Sequence, residues 1–332
     1  MTRVLLFGAY GFLGGHVRRA LAPEVELTCP TRAECDLTHC TDDELASLLC
    51  TVRPDAVVNC AGGVTGGGAD LIRANTLVTA RLVDAVAAHA PAARLVRLGS
   101  AAEYGPVPPG HAVNEHDPAI PVGEYGVSQL AATRLLELAT GAGRVDGVVL
   151  RVFNPIGPGL PEANVLGRAV NLLRRATSQQ TAYISMGALG AYRDFVDARD
   201  VASAVAAVLA VPTVPDRIYN IASGRAVPAR TAVRLLAETA GFTGEIREDG
   251  RAPERSAAVD WMCGDIRRAA SALGWVPAHD LADSVKALWS GGDIRTDRPG
   301  APSPRPTPGP GRRPPQPGQP DGSSRAPRDT RT

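Results

Sequence analysis

No apolar run in this chain approaches the roughly 18 residues needed to cross a bilayer, and no membrane association is expected. Charge of one sign is also missing. Thirty-five Lys and Arg against 34 Asp and Glu leave +1, too little for a broad electrostatic footprint on nucleic acid. The N-terminus enters a strand directly, without a signal-peptide layout. Six cysteines (29, 35, 40, 50, 60 and 263) lack the paired spacing of a zinc site, so no metal is expected; they read as small apolar side chains in a reducing cytoplasm. Apolar residues almost vanish from Ser290 onward, and 11 of the 28 prolines fall between Pro299 and Pro327. Such a segment buries too little surface to offset its ordering entropy, so 290–332 is expected as a disordered tail behind a globular 1–289.

The rest, in a chain 44% hydrophobic, has material for one large core or two modest ones. It is organised around Arg3 to Gly15. Val4, Leu5, Leu6 and Phe7 form a continuous apolar run, the pattern of a strand buried on both faces of a parallel sheet. Gly8, Gly11 and Gly14 follow, and Phe12 to Leu21 carries helical spacing. Strand, glycine turn and helix form the phosphate cradle of a dinucleotide fold, with Tyr10, Phe12 and Leu13 interleaved in the loop. A plain strand-to-helix turn has the same look, and the spacing is G-x-x-G-x-x-G rather than G-x-G-x-x-G.

Val25 to Thr28 reads as the second strand. No acid occupies Thr28 to Arg32, where a carboxylate would select NAD, and Arg32 is placed to meet the extra phosphate of NADP; NADP(H) is favoured, with NAD(H) possible. Asp36 and Leu37 stand where an adenine edge is met, though Asp36 reads equally as a solvated loop acid. Thr41 caps a helix over 42–52. Asp55 to Cys60 is a third buried strand closing on Ala61, Gly62 and Gly63, small enough for a flat ring to lie close or simply for a turn. A helix over Ile72 to Ala88, a strand over Leu95 to Gly99, a helix over Tyr125 to Ala139 and a strand over Gly147 to Val152 continue the alternation of a parallel α/β sheet. Ser100, just past a strand end, and Tyr125, at a helix start, are able to converge over a nicotinamide.

These residues resemble the extended short-chain dehydrogenase/reductases of the NAD-dependent epimerase/dehydratase family, which act on nucleotide sugars. The resemblance rests on the glycine loop, Asn59-Cys60-Ala61-Gly62, Asn75, Gly99-Ser100, Tyr125-Gly126-Val127-Ser128, Phe153-Asn154-Pro155, Arg193-Asp194-Phe195, Arg251-x-Pro253 and Leu273-Gly274-Trp275. It resembles GDP-6-deoxy-4-keto-mannose reductases in the Phe153 to Gly159 and Arg193 segments, and NADP-using GDP-fucose synthases at Thr31-Arg32. It implies a doubly wound (Rossmann) sheet with a smaller C-terminal substrate-binding lobe: a nucleotide-binding core of about 1–152 and 184–221, and a lobe of about 153–183 and 222–260. It further implies a homodimer through the helices 72–88 and 125–139. Ser100 would bond the substrate oxygen beside Ala101 and Tyr125 would exchange the proton. Cys60, Ala61, Gly62 and Asn75 would line the cofactor, and Asn154, Arg193 and Arg251 the diphosphate of the sugar nucleotide. Asp200 reads as a helix N-cap.

The family pattern Tyr-x-x-x-Lys is broken here by Gln129. Four residues on, its amide shares a helix face with Tyr125 and reaches toward cofactor ribose, but it carries no charge. One unit charge at about 4 Å, with an effective dielectric near 20, is worth roughly 3 pKa units. Without a substitute cation, Tyr125 stays protonated near neutrality, which suits reduction better than oxidation. Ala101 and Ala102 stand where family dehydratases carry acids, so elimination lacks its acid and base. Ala102 also replaces the cysteine of the epimerising GDP-fucose synthases, and Gly157 to Leu166 offers no partner histidine. The expectation is an NADPH-dependent 4-ketoreductase of a deoxysugar nucleotide. The alternatives are a 4-epimerase with tightly bound NAD, or a catalytically silent nucleotide-binding homologue.

Overall fold

Alternate residues of the first strand, β1 (Arg3–Phe7), go to opposite faces, and both faces are covered: Val4 and Leu6 join one core, Leu5 and Phe7 another. That is why the run is apolar throughout. All four side chains are at most 2% exposed in the computed structural model, which describes residues 1–249 and 259–291. Burying each stabilises the fold by about 1.5–3 kcal/mol.

The strands after β1 are β2 (Glu26–Thr28), β3 (Ala56–Asn59), β4 (Arg94–Ser100), β5 (Asp146–Val152), β6 (Pro155–Ile156), β7 (Tyr183–Ser185), β8 (Tyr192–Asp194), β9 (Val196–Asp197), β10 (Ile218–Ile221), β11 (Ala226–Pro228) and β12 (Glu245–Arg247). Six of them form a wholly parallel sheet in the order β10-β5-β4-β3-β1-β2. The chain steps outward from β1 to β2, then crosses to β3 on the other side. The switch point therefore lies beyond the carboxyl ends of β1 and β3, where open sheets of this kind hold ligands.

The helices are α1 (Phe12–Leu21), α2 (Asp42–Val52), α3 (Gly68–Leu71), α4 (Val78–His89), α5 (Glu124–Gly141), α6 (Val165–Gln179), α7 (Ala198–Ala210), α8 (Ala229–Thr239), α9 (Arg267–Leu273) and α10 (Leu281–Ser290). On one sheet face Val17 and Leu21 of α1 pack with Val201, Val205 and Val208 of α7. On the other, Leu45 and Leu49 of α2, Leu82 and Val86 of α4 and Leu136 of α5 close the layer. A third core joins α6, α8 and α10 through Leu166, Leu173, Leu236 and Leu288. Among the described residues, no helix is long and apolar enough to cross a membrane.

Two sequence expectations need correction. The single helix over 72–88 is broken into α3, a π-helical turn (Ile72–Leu77) and α4. The wider turn carries Asn75, whose side chain is drawn off the helix surface onto the backbone of Gly63. Asp200 is not a cap. Asp197 caps α7 by accepting from Arg199 N at 2.8 Å, and Asp200, one turn inside, is buried and accepts from His279 N at 3.0 Å. Most of the expected tail, from residue 292 onward, lies outside the described residues.

Candidate active site

Backbone alone builds one end of the site. Gly8 has φ +74°, and a Cβ there would lie 2.6 Å from Ala61 N, so only glycine lets the loop after β1 touch the loop after β3. At Gly14 a Cβ would fall 1.9 Å from Gly8 O. Gly11 is the N-cap of α1; it supplies no side-chain bond, and no acid occupies the first turn. The amides at this helix start are thus presented to the crevice with the positive end of the dipole behind them. A dinucleotide pyrophosphate fits these free amides, which the close backbone packing at Gly8 and Gly14 holds in place.

At the far edge, Arg32 is 81% exposed and lies 3.9 Å from Asp36. Burial of Asp36 would raise its pKa, but hydrogen bonds from the Thr38 hydroxyl and amide outweigh it and hold the carboxyl at about 2. Arg18, which sequence reasoning passed over, stacks its guanidinium 5.3 Å from the centre of the Tyr10 ring, and the Tyr10 hydroxyl donates to Cys29 O at 3.4 Å. A second cation thereby joins Arg32 at the end of β2. Leu37 is packed into the α2-side core, and Phe12 meets His16 edge-on at 5.7 Å. Leu13 packs against the α1-side core. Burial pushes the Cys60 thiol up to about 12.

A relay of contacts joins this cradle to the expected catalytic residues. Asn75, buried, brackets Gly63 by accepting from its N and donating to its O, both at 2.9 Å, and also donates to Ser128 Oγ at 3.0 Å. Ser128 in turn donates to Tyr125 O at 2.8 Å. Asn75 therefore shapes the cofactor wall through its neighbours. Gly62 is forced small by it, since a Cβ there would lie 2.8 Å from Asn75 Oδ1.

Ser100 ends β4 and caps the short 3-10 turn Ala101–Glu103; its Oγ accepts from Ala102 N at 3.2 Å, which leaves the hydroxyl hydrogen to donate elsewhere. Tyr125 lies in the first turn of α5, half-buried. Gly126 next to it permits α5 to press against the Ser100 turn: a Cβ would stand 2.4 Å from Ala102 O. This contact brings the first turn of α5, which carries Tyr125, against the turn that Ser100 caps. Glu103, one step late for a dehydratase acid, is fully buried, bonded by Arg151 Nε at 2.8 Å and by Ser100 N at 3.0 Å. It is committed to structure, and Ala101 beside it is packed among Tyr104, Phe153 and Ala222. Gln129 does share the face of Tyr125, but its Oε1 is taken by Arg97 on β4.

At the opposite end Asn154 donates from Nδ2 to Asp194 O at 3.0 Å, which puts it next to Arg193 on β8. Burial lowers the Arg193 pKa, opposed by the charge of Asp260. The Asp194 carboxylate collects the amides of Ser223, Gly224 and Gly264 at 2.7–3.0 Å and so staples three stretches behind this wall. Arg251 lies outside the described residues. His16 on α1, unforeseen from sequence, reaches Pro158 O at 3.1 Å and ties the glycine helix to the loop after Asn154.

Residues 4–222 match the NAD dependent epimerase/dehydratase family. The chain is 39% identical, over 87% of its length and 95% of the relative's, to dTDP-6-deoxy-L-talose 4-dehydrogenase (NAD(P)(+)) of Kitasatospora kifunensis. It is 30% identical, over 88% and 98% respectively, to GDP-6-deoxy-D-mannose reductase of Pseudomonas aeruginosa. Its fold matches the solved structure of RMD from Pseudomonas aeruginosa, complexed with NADPH, with a TM-score of 0.77, 28% identity, and coverage of 89% of this chain and 98% of that one. With a glycine cradle joined to a serine and a tyrosine on one parallel sheet, and relatives matched along nearly their whole length, the chain belongs to the NAD dependent epimerase/dehydratase family as an extended short-chain dehydrogenase/reductase.

Proposed function

We propose that the protein is an NADPH-dependent oxidoreductase that reduces the 4-keto group of a deoxysugar nucleotide. The observation that supports this reading is the close packing of Gly126 on Ala102, which holds the first turn of α5, with Tyr125, against the turn capped by Ser100, while Glu103, the acid of that turn, is bonded to Arg151. The two relatives, one named a 4-dehydrogenase and the other a reductase of a 6-deoxysugar nucleotide, support the same substrate class. Gly8, Gly11 and Gly14 would hold the pyrophosphate, and Cys60, Ala61 and Gly62 the wall beyond it. Arg32, joined by Arg18, favours NADP over NAD, since both guanidiniums suit a ribose phosphate. When bound, the reduced nicotinamide supplies hydride to the carbonyl carbon. Ser100 donates a hydrogen bond to the carbonyl oxygen, and the Tyr125 phenol delivers the proton that this oxygen takes up. Asn154 and Arg251, from the lobe 153–183 and 222–260, would grip the diphosphate together with Arg193 from the core segment 184–221.

Apolar side chains left exposed on the π turn and α5 (Leu77, Val127, Leu135 and Leu138) suit pairing of two copies through these helices. The six cysteines, none in a disulfide, suit a reducing cytoplasm. The test is a panel of 4-keto sugar nucleotides followed at the reduced-nicotinamide band, with NADPH and NADH as donors. Tyr125→Phe is expected to lower kcat by about 10²–10⁴-fold while leaving NADPH affinity in place. Unchanged turnover in that variant would remove Tyr125 from the mechanism. Cofactor that co-purifies and is never consumed would point to the 4-epimerase instead.

A further inference from the structure

The family's cation is absent at Gln129, and the chain has a single lysine, Lys286, on α10. A cation is buried at that spot all the same. Arg97 sits in the middle of β4, 3% exposed, on the face covered by α4 and α5. Its nitrogens donate to neutral oxygens: Nε to Thr79 Oγ1 at 3.1 Å, Nη1 to Thr133 Oγ1 at 3.2 Å and Nη2 to Gln129 Oε1 at 2.5 Å. Room for it comes from Gly99, where a Cβ would lie 3.3 Å from Arg97 Nη1 and 2.6 Å from Glu103 Oε1.

The charged groups on elements packed against the start of α5 can be taken in turn. Asp70 of α3 and Arg73 of the π turn pair with each other at 3.2 Å. Glu103 of the 3-10 turn and Arg151 of β5 pair at 2.8 Å. Glu124, which precedes Tyr125, is exposed to solvent. Arg97 remains, and among the described residues no carboxylate is hydrogen-bonded to it. Two buried guanidiniums and one buried carboxylate leave one positive charge in excess behind Ser100 and Tyr125. Such burial is unfavourable unless a neighbouring group draws on the charge.

We propose that Arg97 is a positioning residue that supplies, from the sheet, the positive charge other family members carry four residues after the tyrosine, and that it favours the ionised form of the Tyr125 phenol. Gln129 is the matching part. Arginine only donates, so Gln129 must turn its oxygen to Arg97, and its NH2 faces away as a donor for a ribose hydroxyl. Burial lowers the pKa of Arg97, while the charges of Glu103 and Tyr125 act against that lowering; the guanidinium stays charged throughout.

This inference rests on Tyr125 being the proton donor of the proposed reduction. Its test needs no substrate: the phenolate absorbance of the full chain is titrated with Tyr125→Phe as the blank. Tyr125 is expected to ionise at least about one unit below the ordinary value near 10. Arg97→Met should raise its pKa by about one unit or more, and Arg97→Met with Gln129→Lys should bring it back. In turnover, Arg97→Met should slow oxidation of the sugar alcohol at neutral pH about tenfold or more and reduction much less, because only oxidation needs the phenolate. A phenol indifferent to Arg97→Met overturns the proposal. If that variant does not fold, a wild-type value at or above 10 overturns it alone. Should the phenol titrate as expected while no 4-keto sugar nucleotide is reduced, the substrate reading fails and the role of Arg97 stands.

Discussion

The two ends of the crevice are made in different ways. The cofactor end is backbone: three glycines within seven residues, a helix start, and a loop pressed against them at Gly8. The proton-transfer end is side chains of β4, the 3-10 turn, α4, α5 and β5 bonded to one another around the start of α5. A backbone site fails when a single atom is added. A side-chain site retunes when a charge is moved.

The largest expected effect breaks the backbone end. Gly14→Ala would drive a methyl into Gly8 O at 1.9 Å, and a loss of at least about 4 kcal/mol is expected, read as a collapse of thermal stability or of NADPH binding in a fluorescence titration. Next comes Gln129→Lys on its own. Restoring the family residue without removing Arg97 places an ammonium where Arg97 Nη2 now donates at 2.5 Å, so denaturant melts should show destabilisation of about 3 kcal/mol rather than improved catalysis. A gain in activity without loss of stability would show that the two cations do not meet. The smallest effect is that of Gly126→Ala, whose Cβ, 2.4 Å from Ala102 O, would shift α5 off the Ser100 turn. It should lower kcat about 10–100-fold with Tyr125 still present and NADPH affinity little changed, as steady-state kinetics would show.

The same division explains what could be read from the sequence. The glycine cradle is contiguous, so spacing and the flanking strand and helix disclosed it, and α1 and α2 begin and end where their patterns said, with Thr41 as the cap of α2; the structure adds the reciprocal bond from Glu44. Pairings across elements were not legible. The π turn carries Asn75, which bonds a glycine 12 residues earlier, and no local propensity encodes that pairing. The cap of α7 is Asp197 because the helix already begins at Ala198, and Asp200, inside it, bonds His279 far along the chain. Arg97 did leave a signal. An arginine inside Leu95-Val96-Arg97-Leu98, a strand otherwise apolar, is out of place unless something buried answers it.

His16 joins the cofactor end to a third part of the crevice, the sugar-side loop after Asn154. Carbonyls only accept, so the imidazole must carry its proton on Nε2, where Pro158 O lies 3.1 Å away. Burial lowers its pKa, and the neutral ring therefore persists as the solution is acidified past the value at which an open histidine would charge. The brace between the first helix and the sugar-side loop thus keeps one tautomer under mild acidification, with Nε2–H still directed at Pro158 O.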